Sequence, residues 1–193
     1  MDFAGNLAVT TGTLSTTNDA TISGVRVGVG ATATTGSVAL GYQALNAVST
    51  ANSYAVAIGY SALKVLTTGA NNVAIGYGSQ FSNLTAAHNT SVGWMTLNAL
   101  TAAGAAHNTV YGYSAGRYLT TGIQNTIIGS NAGGGSTLTS TSGMVALGYQ
   151  AGMNETTNNK LYIANSSTTT PLIYGDFSTN ALTVNGSLTA TGL

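Results

Sequence analysis

The side chains of this sequence that could carry chemistry are two imidazoles, a regular row of aromatic rings and a few scattered carboxylates. His88 and His107 each stand five residues before a recurring glycine, Gly93 and Gly112, so they hold one slot of successive repeats. Imidazoles titrate near neutral pH and ligate metals, so such a slot could respond to pH or hold an ion. No carboxylate or cysteine lies near them in sequence to complete a ligand set, and a polar turn role is the plainer expectation. Tyr42, Tyr60, Tyr77, Trp94, Tyr113 and Tyr149 each follow a recurring glycine directly, which should stack them as a ladder. Aromatic bodies with polar tips suit binding surfaces, so the row is a candidate contact surface, for sugar rings for example. Packing between coils or protomers is its blander use, and Ser130 interrupts it.

The acids Asp2, Asp19, Glu155 and Asp176 are dispersed, so no carboxylate pair for acid–base catalysis is evident. Gly133-Gly134-Gly135 lacks the Lys-Ser/Thr that would follow it in a phosphate loop. We therefore name no catalytic residue, no metal ligand and no cofactor, and expect a protein that is not an enzyme.

Charge narrows the field further. Only 4 Lys/Arg and 4 Asp/Glu occur in 193 residues, too little positive charge to grip a polyanion, so nucleic acid is not an expected partner. Without cysteine, and with hydrophobic residues at 44%, stability must come from packing, backbone ladders or association. Gly, Ala, Thr, Ser and Asn dominate while Glu, Lys and Arg are scarce, which argues for β structure. No run of about 18 apolar residues occurs, so membrane insertion is not expected, and the opening Met1-Asp2-Phe3-Ala4-Gly5-Asn6 does not read as a signal peptide. A surface this poor in charge does little to discourage association, so an oligomer is expected.

These side chains are positioned by a repeat. Val38-Ala39-Leu40-Gly41-Tyr42, Val56-Ala57-Ile58-Gly59-Tyr60 and Val73-Ala74-Ile75-Gly76-Tyr77 are followed by looser copies ending at Gly93, Gly112, Gly129 and Gly148. The glycines step by 18, 17, 17, 19, 17 and 19 residues, so seven copies span residues 36–152 and one repeat makes one coil. Stacked in parallel, six steps of about 4.8 Å give a rod roughly 29 Å long. Each phrase alternates a β-branched residue, a small one and an aliphatic one, the period of a short half-buried strand. From this alternation we expect Val56, Ile58, Val73 and Ile75 to face the core, with Ala57 and Ala74 against a close neighbour. A second short strand is expected after the aromatic, as in Tyr42-Gln43-Ala44. Residues 7–14, 20–24 and 182–192 share a Leu-Thr-Val-Gly style and read as shaft; Leu161–Asn165 and Leu172–Phe177 read as a strand pair forming a cap.

The Asn-x-Val-Ala-Ile-Gly phrase, as in Asn72-Val73-Ala74-Ile75-Gly76, resembles the head repeat of trimeric autotransporter adhesins, over residues 36–152. That resemblance implies three chains, each a parallel β-roll, that bind extracellular matrix or cell surfaces. This chain has a longer period, and Asn precedes the phrase only in some copies, as at Asn72, Asn89, Asn108 and Asn125. The segment from Leu161 to Phe177 with Val184-Asn185-Gly186 is similar to that found in phage tail fibres ahead of a C-terminal intramolecular chaperone. An autotransporter would also carry a signal peptide and a membrane anchor, so the tail-fibre likeness is preferred.

The expectation is thus an all-β, homotrimeric parallel β-roll or solenoid of about seven coils with β-rich, shaft-like ends. Residues 1–35 would form an N-terminal shaft segment, 36–152 the roll, and 153–193 a C-terminal cap and shaft. Its function would be that of a structural and adhesive fibre, located in a virion or else extracellular at a cell surface. Its partners would be its own copies, further fibre subunits at both ends, and a host-surface glycan or protein receptor. An ice-binding solenoid is the alternative from another class, and would need a regular Thr-x-Thr row.

Overall fold

The structure is a computed structural model describing residues 20–22, 25–28, 36–49, 53–101, 104–137 and 139–189; the shaft-like stretch at residues 7–14 lies outside them. A hairpin of β1 (Ala20–Ile22) and β2 (Val25–Gly28) leads into seven strands of three residues each. These are β3 (Val38–Leu40), β4 (Val56–Ile58), β5 (Val73–Ile75), β6 (Thr90–Val92), β7 (Thr109–Tyr111), β8 (Thr126–Ile128) and β9 (Val145–Leu147). They pair in parallel, each on the next, as one turn apiece of a β-solenoid. β10 (Lys160–Ile163) stacks on β9 in parallel as a further rung, and β11 (Ile173–Asp176) and β12 (Ala181–Val184) then add antiparallel. The twelve strands form one sheet in sequence order, and no helix occurs among the described residues.

The register explains why sequence slots become physical columns. Val56 pairs with Val73, Ala57 with Ala74 and Ile58 with Ile75, so equivalent residues sit directly above one another. Each turn hands its backbone to the next: Val56 N–H donates to Asn72 O at 2.9 Å and Gly76 N–H to Ile58 O at 2.7 Å.

The direction of the strand side chains reverses the expectation. Ala39, Ala57, Ala74, Ser91, Val110, Ile127 and Ala146, the middle residues, are buried inside the turns. Val56, Ile58, Val73 and Ile75 lie on the outer face and are only partly covered. The physical reason is the narrowness of the turn, whose opposite wall already supplies the bulk. In the second turn Ala57 shares the interior with Ala62, Leu63 and Leu66, all buried. In the fifth and sixth turns the strand carries Val110 and Ile127, and the residues in Leu63's slot become Gly116 and Gly133. A Cβ on Gly116 would sit 3.5 Å from Val110 Cγ1, and one on Gly133 would sit 3.0 Å from Ile127 Cδ1. In these two turns large on one wall is matched by nothing on the other, which keeps the interior filled without overpacking.

This complementarity is testable. Ala57→Ile alone should overpack the second turn and cost about 1 to 3 kcal/mol in urea unfolding. Adding Leu63→Gly, which copies the Ile127–Gly133 arrangement, should recover most of that loss. A neutral Ala57→Ile would show that Ala57 does not face the interior.

The segment after each aromatic is no strand. Gln43 and Leu45, Ser61 and Leu63, and Met95 and Leu97 have φ between 45° and 55°, so left-handed residues alternate with others. The N–H groups of the two left-handed residues point in opposite directions along the rod: Ser61 donates back to Tyr42 O at 2.8 Å while Leu63 donates forward to Ser79 O at 3.1 Å. This hydrogen bonding joins a turn to both neighbours without a strand ladder, and the Leu side chains it aims inward fill the core.

Polar groups complete the interior. Ser79, Gln80, Asn83, Ser91 and Thr96 are buried and separate two apolar clusters, one in the early turns and one in the later. Ser79 Oγ lies 2.6 Å from Ser91 Oγ and 2.9 Å from Thr96 Oγ1, while Gln80 Nε2 donates to Ser91 Oγ and Gln80 Oε1 accepts from Asn83 Nδ2. Such a satisfied network fixes which turns stack on which, because a shifted register would bury the same groups unpaired.

Candidate functional site

Two side-chain columns run along the solenoid where the sequence placed its candidates. Tyr42, Tyr60, Tyr77, Trp94 and Tyr113 form one continuous stack, with centroids 5.2, 5.1, 6.1 and 4.7 Å apart and planes within 25° of parallel. The spacing follows from the rung height, since one residue of each turn is placed directly over its equivalent. Parallel stacking has a consequence for binding: within the stack each ring covers its neighbour's face, so the rings present edges and hydroxyl tips to solvent. Sugar rings could therefore use only a face left free at an end or an interruption of the stack. Arg117 lies 5.6 Å from the Trp94 ring centroid and 5.2 Å from that of Tyr118, and Lys64 lies 5.3 Å from that of Phe81. Both cations thus lie within cation–π distance of aromatic rings. Tyr149 holds the same slot two turns beyond Tyr113, with Ser130 between them.

His88 and His107 form the second column, stacked at 5.1 Å with planes 4° apart, and both are exposed. Their backbone explains the slot: φ is 58° and 60°, and Asn71, Gln124 and Asn159 share the left-handed conformation at the equivalent positions. No group of three His, Cys, Asp or Glu that could hold a metal ion occurs among the described residues.

Immediately inside that column runs a ladder that sequence reading noticed only as a motif. Asn72, Asn89, Asn108 and Asn125 are buried, and each passes a hydrogen bond to the next. Asn108 Nδ2 donates to Asn89 Oδ1 at 2.9 Å and to Gly122 O at 3.0 Å, while Asn108 Oδ1 accepts from Asn125 N–H at 3.1 Å and Asn125 Nδ2 at 2.9 Å. The ladder ends where Met144 N–H donates to Asn125 Oδ1. Its role is to hold the corner before β5, β6, β7 and β8, and its repetition through four successive turns marks it as scaffold.

The described carboxylates gather at the C-terminal cap, each with a partner. Asp176 accepts from Lys160 Nζ at 2.6 Å and from Ser178 N–H and Oγ–H. Glu155 accepts from Tyr162 Oη at 2.6 Å and from the N–H groups of Thr156 and Thr157. A shallow cavity of about 70 Å³ lies beside Glu155 and Tyr162, lined by Ser167, Thr168 and Thr169, with room for little more than ordered water.

The Lys160 ammonium, then the Ser178 donors, hold the Asp176 carboxyl well below its usual 3.8. Burial by itself would raise Glu155, but the bonds from Thr157 and Tyr162 together outweigh it and leave the group below its ordinary 4.5. Both folded carboxylates therefore titrate below their unfolded counterparts. The stability they contribute is complete above the ordinary carboxylate range and is lost as pH falls through the depressed values. Hydrogen exchange of residues 160–176 should be flat from pH 7 to 5, after correction for intrinsic rates, and should accelerate in stronger acid. The turns at residues 73–93, which hold no carboxylate, should lag behind. Simultaneous opening of cap and turns would contradict this.

No family model, no curated protein and no solved structure matches the chain. What the geometry defines is a class of architecture, an all-β solenoid of about seven turns built on a sequence repeat. Among the described residues no helix is long and apolar enough to cross a membrane.

Proposed function

We propose that the chain is a protomer of a homotrimeric, rod-like adhesive fibre, of the kind found in phage tails, that presents repeated contacts to a host surface. The observation that carries this reading is the outer face of the sheet. Two columns there, Val38, Val56, Val73 and Val145 in one and Leu40, Ile58, Ile75, Val92, Ile128 and Leu147 in the other, project away from the core. Val38 is 48% exposed and Ile128 44%, in a protein with eight charged residues in all. A strip of this length, apolar except where Thr90, Thr109 and Thr126 interrupt the first column and Tyr111 the second, on a nearly uncharged surface is what a protein–protein contact covers. Two further copies of the same chain, packed in parallel, would bring identical strips together about a threefold axis.

Adhesion follows from the same geometry. Several equivalent turns on three chains present many weak contacts at once, and avidity then exceeds the affinity of any single contact. The sheet also leaves the edges of β1 and β12 without a neighbouring strand among the described residues, which supports joining of such rods end to end. Ice binding is less well supported, because only Thr90, Thr109 and Thr126 place threonine on the outer face at the first strand position, and no Thr-x-Thr row runs along the sheet.

The test is to apply the purified protein to an array of bacterial surface polysaccharides and animal glycans. Retention by the oligomer that falls at least tenfold when the protein is dissociated supports the adhesive reading. An oligomer retained on no spot would overturn it.

A further inference from the structure

We infer that the interruption of the aromatic ladder at Ser130 is a binding slot for one pyranose ring, sandwiched between Tyr113 and Tyr149. The inference takes its class of ligand from the adhesive reading above and its location from the ladder itself.

Backbone hydrogen bonds fix the three residues as consecutive members of one column. Asn131 N–H donates to Tyr113 O at 2.8 Å, and Gln150 N–H donates to Ser130 O at 2.9 Å. Tyr113 and Tyr149 are thus two rungs apart, about 9.6 Å at the spacing of parallel strands. Neighbouring rings in the intact part of the ladder lie 4.7 to 6.1 Å apart, so a two-rung gap is the height of one missing ring. Within the stack, Tyr60 and Tyr77, covered on both faces, are 47% and 45% exposed, while Tyr42 and Tyr113, at its two ends, are 52% and 53% exposed. Tyr149 stacks on no other ring among the described residues and is 50% exposed.

The floor of the gap selects the kind of ring. Ser130 supplies a hydroxyl and Asn131 an amide, 3.3 Å from one another and partly exposed, and none of these residues is charged. A pyranose offers C–H groups on both faces for the tyrosine π clouds and hydroxyls around its rim for Ser130 and Asn131. A neutral sugar loses little by entering an uncharged slot, whereas an anionic one would have to be desolvated without a counter-charge.

Ser130→Tyr fills the gap with the residue most other turns carry there, so the variant should fold and its ladder should run unbroken to Tyr149. Saturation-transfer NMR with neutral methyl pyranosides, and with p-cresol as a flat arene, compares the wild type with Ser130→Tyr, Tyr149→Ala and Tyr42→Ala. The expected result is transfer to at least one methyl pyranoside in the wild type, lowered at least tenfold by Ser130→Tyr and by Tyr149→Ala and unchanged by Tyr42→Ala. Sugar binding that survives Ser130→Tyr overturns the slot while leaving the adhesive reading standing. Binding of p-cresol without any pyranoside overturns the choice of ligand. If no pyranoside binds but the wild type is retained on the polysaccharide array, the slot alone falls; if it is retained nowhere, both fall.

Discussion

Gly76→Ala should be among the most destabilising single-methyl changes this protein can suffer. Gly76 has φ of +124°, a conformation that side chains rarely adopt, and an added Cβ would stand 2.3 Å from Gly93 O in the next turn. Gly41, Gly59, Gly93, Gly112, Gly129 and Gly148 repeat the arrangement, so along this column the turns approach too closely to admit a side chain. Backbone strain of about 1 to 3 kcal/mol adds to a clash against a backbone that is itself hydrogen-bonded and cannot retreat. A loss of more than about 3 kcal/mol is expected by urea unfolding of the purified protein at fixed concentration. Gly104→Ala is the control, because nothing lies within 4 Å of its added Cβ, and its effect should stay within about 0.5 kcal/mol. Equal effects of the two substitutions would mean that the glycine column has room for a Cβ after all.

The second large effect belongs to the asparagine ladder. Asn108→Leu keeps the side-chain size but strips Asn125 N–H of its acceptor and Gly122 O of its donor, both in a buried corner. Each buried polar group left unpaired costs about 1 to 3 kcal/mol, so a total of about 2 to 6 kcal/mol is expected. The loss should appear first as faster hydrogen exchange in the two turns on either side of Asn108. Asn98→Leu, which removes a bond from a half-buried amide to Gly78 O, should cost less. Protection unchanged around Asn108 would show that the ladder is dispensable.

Both sites were visible in the sequence as repetition, and their physical roles were legible to different degrees. The glycine period of 17 to 19 residues gives the turn count and the parallel stacking, because only equivalent residues in register can repeat so regularly. It also places the aromatic and histidine columns, since a fixed offset from the glycine becomes a fixed position on the rod. The face of the strand is another matter. Val-Ala-Ile alternation is compatible with either side being inner, and general hydrophobicity favours burying Val73 and Ile75. What decides for Ala74 is the bulk on the opposite wall, the Leu63 and Gly116 slot, which lies in a different segment of the same turn. The left-handed residues after each aromatic were equally hidden, because Leu45, Leu63 and Leu97 rarely adopt positive φ and do so here only as the turn forces them inward. The cap pairing of Lys160 with Asp176 depends on the β10–β11 register, which the Ser/Thr loop between them does not encode.

Reversal of the strand face strengthens the case for association, because the residues with most to gain from burial are the ones left outside. Sedimentation velocity of the purified protein at micromolar concentration tests this most directly. A single elongated species of three 19.2 kDa chains is expected, and Ile75→Lys, which charges the outer strip without touching the interior, should release folded single chains. A wild-type protein that sediments as one folded 19.2 kDa chain, with its valine and isoleucine columns open to water, would contradict it.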